Sequence, residues 1–135
     1  MVRPAMLYGM ETVPVTKRNE KQMEVAEMKI LRFSLGITRL DKVKNSEVKE
    51  RLKMGELSKK ISESRLRWYG HVHRREQQHV TRKVQDLKIG KRRRGRPKRR
   101  WKDCVEEDMK TKGIRKEDAK NRKIWKMKIH TSHPS

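Results

Sequence analysis

Most of what a soluble enzyme or a secreted domain is built from is scarce in this chain. There is one cysteine, Cys104, which excludes an internal disulfide and a cysteine-based zinc finger and fits a reducing compartment. Aromatic residues make up 4% and all hydrophobic residues 32%, so any core must be small. No apolar run approaches the roughly 18 residues of a membrane span, and the N-terminus lacks the apolar stretch of a signal peptide. A soluble protein of the nucleus or cytoplasm, without a membrane partner, is the expectation. Negative charge is also short: 17 acidic residues face 39 Lys and Arg, a formal charge of +22 over 135 residues. A chain so charged repels itself, and a polyanion relieves the repulsion. Nucleic acid is the commonest polyanion that such a protein meets. An anionic membrane surface fits less well, because the basic residues lack a clean apolar face beside them.

Catalytic constellations are missing as well. His71 and His73 are two apart on a predicted helix, so their side chains point roughly 200° apart and cannot share a metal. His79, His130 and His133 have no ligand spacing. Asp103 and Glu107 share a helical face near Glu106, where they complement a helix N-terminus and neighbouring arginines. Cys104 has no dedicated base, and neither a P-loop nor a GxSxG elbow occurs. No catalytic residue, cofactor or metal is expected.

What is present is helical periodicity and a basic run. Pro4 can open a short helix that Gly9 ends. From Thr16, Met23, Ala26, Ile30 and Phe33 recur at helical spacing, widened by Leu31 and Leu35, and Gly36 supplies a stop. Asn45 can cap a helix carrying Val48 and Leu52. Ser58 can cap another in which Ile61, Arg65, Trp68 and Val72 share a face. Val80, Val84 and Leu87 repeat the signal weakly between Gln77 and Ile89. Trp101, Val105 and Met109 mark a helix stopped by Gly113, and Trp125 and Ile129 one side of a last helix over 116–128. No strand alternation or internal repeat appears. The predicted fold is all-α: short helices around a small core, partly disordered, with an extended basic linker. Its predicted segments are an N-terminal piece over 1–15, a helical region over 16–89, the linker over 90–100, C-terminal helices over 101–129 and a disordered tail over 130–135.

The linker contains KRRRGRPKRR, eight of whose ten residues are basic. Arg94 and Arg96 suit a narrow minor groove. Gly95 permits close approach of the backbone, and Pro97 holds it extended. Lys91, Arg92, Arg93, Lys98, Arg99 and Arg100 can reach phosphates on either side. The R-G-R-P core resembles an AT-hook; a solvated basic linker or an import signal is the plainer alternative. A second basic patch is expected from Arg65, Arg67, Arg74 and Arg75 in RLRWYGHVHRR. Trp68 is assigned there to the core, and Tyr69 to another face where it can stack on unpaired bases. Trp101 and Trp125 are assigned to the core.

Taken in order, VRPAMLYGMET, EVAEMKILRFSLGITRLDKVKNSEVKERL, RLRWYGHVHRR and GRPKRRWKDCVEEDMK resemble the C-terminal region of endonuclease–reverse transcriptases encoded by non-LTR (LINE-type) retrotransposons. The matching positions are Tyr8, Gly9 and Glu11; Leu66, Arg67, Trp68, Gly70, His71 and Val72; and Gly95, Arg96, Pro97, Arg100, Trp101 and Asp103. The resemblance implies that residues 2–12 correspond to the edge of the polymerase thumb. It implies that the rest is a helical region holding template RNA or target DNA. Val13 departs from the family, which usually has a Trp soon after the Glu-Thr pair, and Asn121-Arg122 stands for an Asp-Arg pair. The polymerase aspartates and endonuclease carboxylates would lie upstream, so polymerase activity does not carry over. The expected function is non-catalytic binding of DNA or RNA. The alternative is the C-terminal part of an active RNA-directed DNA polymerase, working joined to or assembled with an intact reverse transcriptase.

Overall fold

A computed structural model describes residues 5, 7–87, 90 and 94–130. The predicted Pro4 helix start, Ile89, Lys91, Arg92, Arg93 and residues 131–135 lie outside the described residues. Six α-helices occur among the described residues and no strand: α1 (Lys17–Ser34), α2 (Asn45–Arg51), α3 (Leu57–His73), α4 (Val80–Asp86), α5 (Trp101–Lys112) and α6 (Arg122–His130). Short 3-10 turns fall at Met10–Thr12, Arg39–Asp41 and Lys116–Lys120.

The helix starts follow local chemistry. The Thr16 hydroxyl accepts the Asn19 N–H at 3.2 Å, and the Asp103 and Asp118 carboxylates accept the N–H groups of Arg100 and Arg115 at 3.0 Å. Each satisfies a donor that the first turn leaves without a helical acceptor. Gly113 ends α5 at φ 65°, a left-handed conformation that only glycine adopts cheaply.

Three small apolar clusters replace one large core. Leu66, Tyr69, Val105, Met109, Trp125 and Ile129 join α3, α5 and α6. Val15, Leu57 and Ile61 seat the N-terminal segment on α3. Met28, Leu31 and Val48 join α1 to α2. The long helix α3 is gripped from both sides, and its buried face runs Leu57, Ile61, Arg65, Tyr69 and Val72, successive steps of three or four residues. Polar side chains lock the packing. The indole N–H of Trp125 donates to the Leu66 carbonyl at 2.9 Å, and that of Trp101 to the Glu11 carbonyl at 2.7 Å. Gly70 lets Trp125 lie against α3, because a β-carbon there would collide with the indole.

Two stripes differ from the sequence expectation. In α1 the buried residues are Glu27, Met28 and Leu31, with Met23 and Leu35 half-buried, while Ile30 and Phe33 face outward and Phe33 is 87% exposed. The buried face is rotated by about one residue, roughly 100° on a helix, from the face the apolar spacing marks. Packing against Val48 of α2 and against the cluster that includes Met23 selects it. In α4, Val80, Val84 and Leu87 are exposed. That helix is tied to the end of α3 instead by Arg82, which donates to the His73 carbonyl, while its pair with Asp86 lies within α4 itself.

Candidate nucleic-acid interface

Over residues 94–100 the chain forms neither helix nor strand, and Arg94, Gly95, Arg96 and Pro97 are exposed. Gly95 has φ 107°, a conformation denied to most L residues, with open space where a β-carbon would be. Beyond Pro97 the ribbon is tied down. The Arg99 Nε donates to the Cys104 Sγ at 3.0 Å, and its guanidinium pairs with Glu107. The bond to Cys104, with that to Glu107, raises the Arg99 pKa further despite the opposing effect of burial. Arg100 is half-buried at the start of α5. Arg94, Arg96 and Arg99 are all exposed, but Arg99 is paired with Glu107 and, with the half-buried Arg100, anchors the end of the ribbon.

The second patch is rearranged by the fold. Arg65 is 2% exposed and pairs with Asp108 of α5, so it crosslinks two helices and offers no guanidinium to a ligand. Burial raises the Asp108 pKa, and the Arg65 charge opposes the rise. Tyr69 is 9% exposed, packed between Trp101 and Trp125 with His73 stacked 5.5 Å away, so it is no stacking platform. Trp68, assigned to the core by its spacing from Ile61 and Val72, is only half-buried. The reason is geometric. A buried face passing through Arg65 and Tyr69 leaves Trp68 on its flank, and the Arg65–Asp108 pair holds the helix at that rotation.

Arg67 and Arg75 are exposed and Arg74 is half-buried, and the fold brings other cations to them. They line an open cleft of about 920 Å³ between α3 and α6, together with Trp68, Arg122 and Lys126. The Arg74 guanidinium donates to the Ala119 carbonyl at 3.1 Å. Its pKa is lowered, first by burial and then by the charge of Arg122, so the two guanidiniums crowd one another. Arg75 donates to the His71 Nε2 at 3.1 Å, and the His71 ring lies tilted 33° to Trp68 with centroids 5.8 Å apart. Five cations thus surround an aromatic pair, with Glu11 the acidic residue in the same lining. Fixed arginine forks suit bidentate contact to phosphate oxygens.

No family model, curated protein or solved structure matches the chain. Among the described residues no group of three or more His, Cys, Asp or Glu could hold a metal, and no helix is long and apolar enough to cross a membrane. Arg122 and Lys126 are the cleft residues that sequence reasoning missed. They fall on an i, i+4 stripe beside the buried Trp125–Ile129 stripe, which is a legible signal once α6 is known to pack on α3.

Proposed function

We propose that this chain is a non-catalytic nucleic-acid-binding module related to the C-terminal region of non-LTR retrotransposon reverse transcriptases. It engages DNA or RNA through the Arg94–Arg96 ribbon and the α3–α6 cleft. The observation that carries the reading is the convergence of Arg67, Arg74, Arg75, Arg122 and Lys126 on one open cleft in a protein of net charge +22. Such crowding of like charge costs stability in isolation and is relieved by phosphates. The ordered sequence blocks quoted above support the family assignment.

The test is binding of a duplex and of single-stranded RNA at about 50 and 200 mM salt, the range over which a protein neutralising ~6 phosphates loses roughly 10³ in affinity. Arg94→Ala/Arg96→Ala and Arg75→Ala/Lys126→Ala should each flatten the duplex log–log slope by about 1.8, at roughly 0.9 per phosphate. A slope near zero for wild type on both ligands would refute the function.

The alternative, a part that works assembled with an intact reverse transcriptase, is favoured by the apolar residues that α1 leaves exposed, Val25, Ile30 and Phe33. Co-purification with such an enzyme, lost on Phe33→Asp, is its expected signature.

A further inference from the structure

His71 lines the cationic cleft and holds one of its five cations. Its Nε2 lies 3.1 Å from the Arg75 guanidinium, one turn further along α3, and both residues are exposed. A guanidinium carries donors only, so this bond exists only while the ring nitrogen holds no proton. Histidine is the side chain that ordinarily changes its charge between pH 5 and 8. Once charged, an imidazole donates from both nitrogens and repels a guanidinium instead of holding it.

The surroundings of His71 determine what such a change achieves. Around it α3 presents Arg67, Arg74 and Arg75, α6 presents Arg122, Lys126 and His130, and the N-terminal segment presents Glu11. Arg51, Arg65, Arg82 and Arg99 each pair with a carboxylate of this protein. The five cations of the cleft form no such pair among the described residues, so the anion that balances them comes from outside. His130 has the Glu63 carboxylate 3.8 Å away, whereas the neighbour that His71 binds is a cation. The Trp68 ring, 5.8 Å from that of His71, gives a charged imidazole a favourable surface. A phosphate seated beside His71 favours the charged ring, and the charged ring releases Arg75 to the phosphate.

We propose that His71 and Arg75 form a proton-coupled subsite for one phosphodiester of the bound strand. A proton from solvent goes onto His71 Nε2, the bond to Arg75 breaks, and both side chains donate to the phosphate oxygens. Proton and phosphate therefore promote one another's binding. The bound ring charges at a higher pH than the free one, so affinity rises as the pH falls through the interval between them. The inference rests on the nucleic-acid binding proposed above and adds to it a dependence on pH.

The probe is a 12-nucleotide oligothymidylate without a terminal phosphate, whose diesters and bases keep their charge between about pH 6 and 8, at one fixed salt concentration. Wild type should bind roughly tenfold tighter at the lower pH, the factor that accompanies a rise of about one unit in the titration of the ring. Calorimetry near pH 7 in two buffers of different ionisation enthalpy should register proton uptake on binding. His71→Gln keeps an acceptor for Arg75 but takes no proton, and it should bind at both pH values with about the affinity of wild type at the higher one. His71→Ala frees Arg75 permanently and should exceed His71→Gln a few-fold at about pH 8. His130→Gln should retain most of the pH dependence. Affinity of wild type that is equal at both pH values, with a steep salt slope, would overturn the subsite and leave the binding function standing. Proton uptake that survives His71→Gln and vanishes in His130→Gln would likewise overturn it. Absence of binding at either pH would overturn both.

Discussion

The ribbon and the cleft are both cationic, yet they acquire their charge differently. Arg94 and Arg96 are dense in sequence, and density alone places them together; their exposure requires nothing from the rest of the molecule. The cleft draws Arg67, Arg74 and Arg75 from α3 and Arg122 and Lys126 from α6, residues about fifty positions apart that only packing unites. A charge run supplies affinity that any polyanion can use. A folded cleft fixes directions, and with Trp68 at its margin it can distinguish one anion from another.

The largest effect is expected where the scaffold under the cleft is broken. Arg65→Met should cost about 2–3 kcal/mol in chemical unfolding, because it removes the charged partner of the half-buried Asp108 carboxylate. Replacing both partners with apolar residues should recover most of the loss. If Arg65→Met instead flattened the salt slope at full stability, Arg65 would belong to the cleft and the contrast would fail. Gly70→Ala should cost about 1–3 kcal/mol by forcing the Trp125 indole off α3. Because that moves α6, the variant should lose the contribution of Arg75 and Lys126 and retain that of Arg94 and Arg96. Equal loss from both regions would show that they act as one surface.

The smallest effect concerns α4. The His73 carbonyl accepts the Arg82 guanidinium, and the His73 pKa is lowered from 6.5 by burial and then by the Arg82 charge. The folded protein thus keeps this histidine neutral while the unfolded chain takes up a proton first. Its contribution is present above about pH 6.5 and is lost as the pH falls toward the folded value. His73→Gln should flatten the stability profile below pH 6.5; an unchanged profile would place the acid sensitivity elsewhere.

Much of the fold was legible. Thr16, Gly36 and Gly113 delimit helices in the sequence as they do in the structure, since capping and left-handed stops depend on a few neighbouring residues. Trp125 and Ile129 fall on the buried face that their spacing marks. Rotation about the helix axis was less legible. Phe33 and Ile30 fit one periodic stripe of α1, and Met23, Glu27, Leu31 and Leu35 fit another broken by a charge, so spacing favoured the wrong one. On α3, Arg65 lies in register with Ile61 and Val72, a sign of burial outweighed by its membership of an arginine-rich stretch. Its partner Asp108 is 43 positions away, too far for any local pattern to announce.

The sequence by itself determined that this protein is helical, thinly cored and strongly cationic, because propensity, capping and net charge are properties of short stretches and of sums. Only the tertiary structure decided which cations remain available. Whether a guanidinium meets solvent or a half-buried carboxylate depends on the rotation of one helix against its neighbours. That rotation is set by contacts among residues far apart in the chain: Arg65 with Asp108, Trp125 with Gly70 and Trp101 with Glu11.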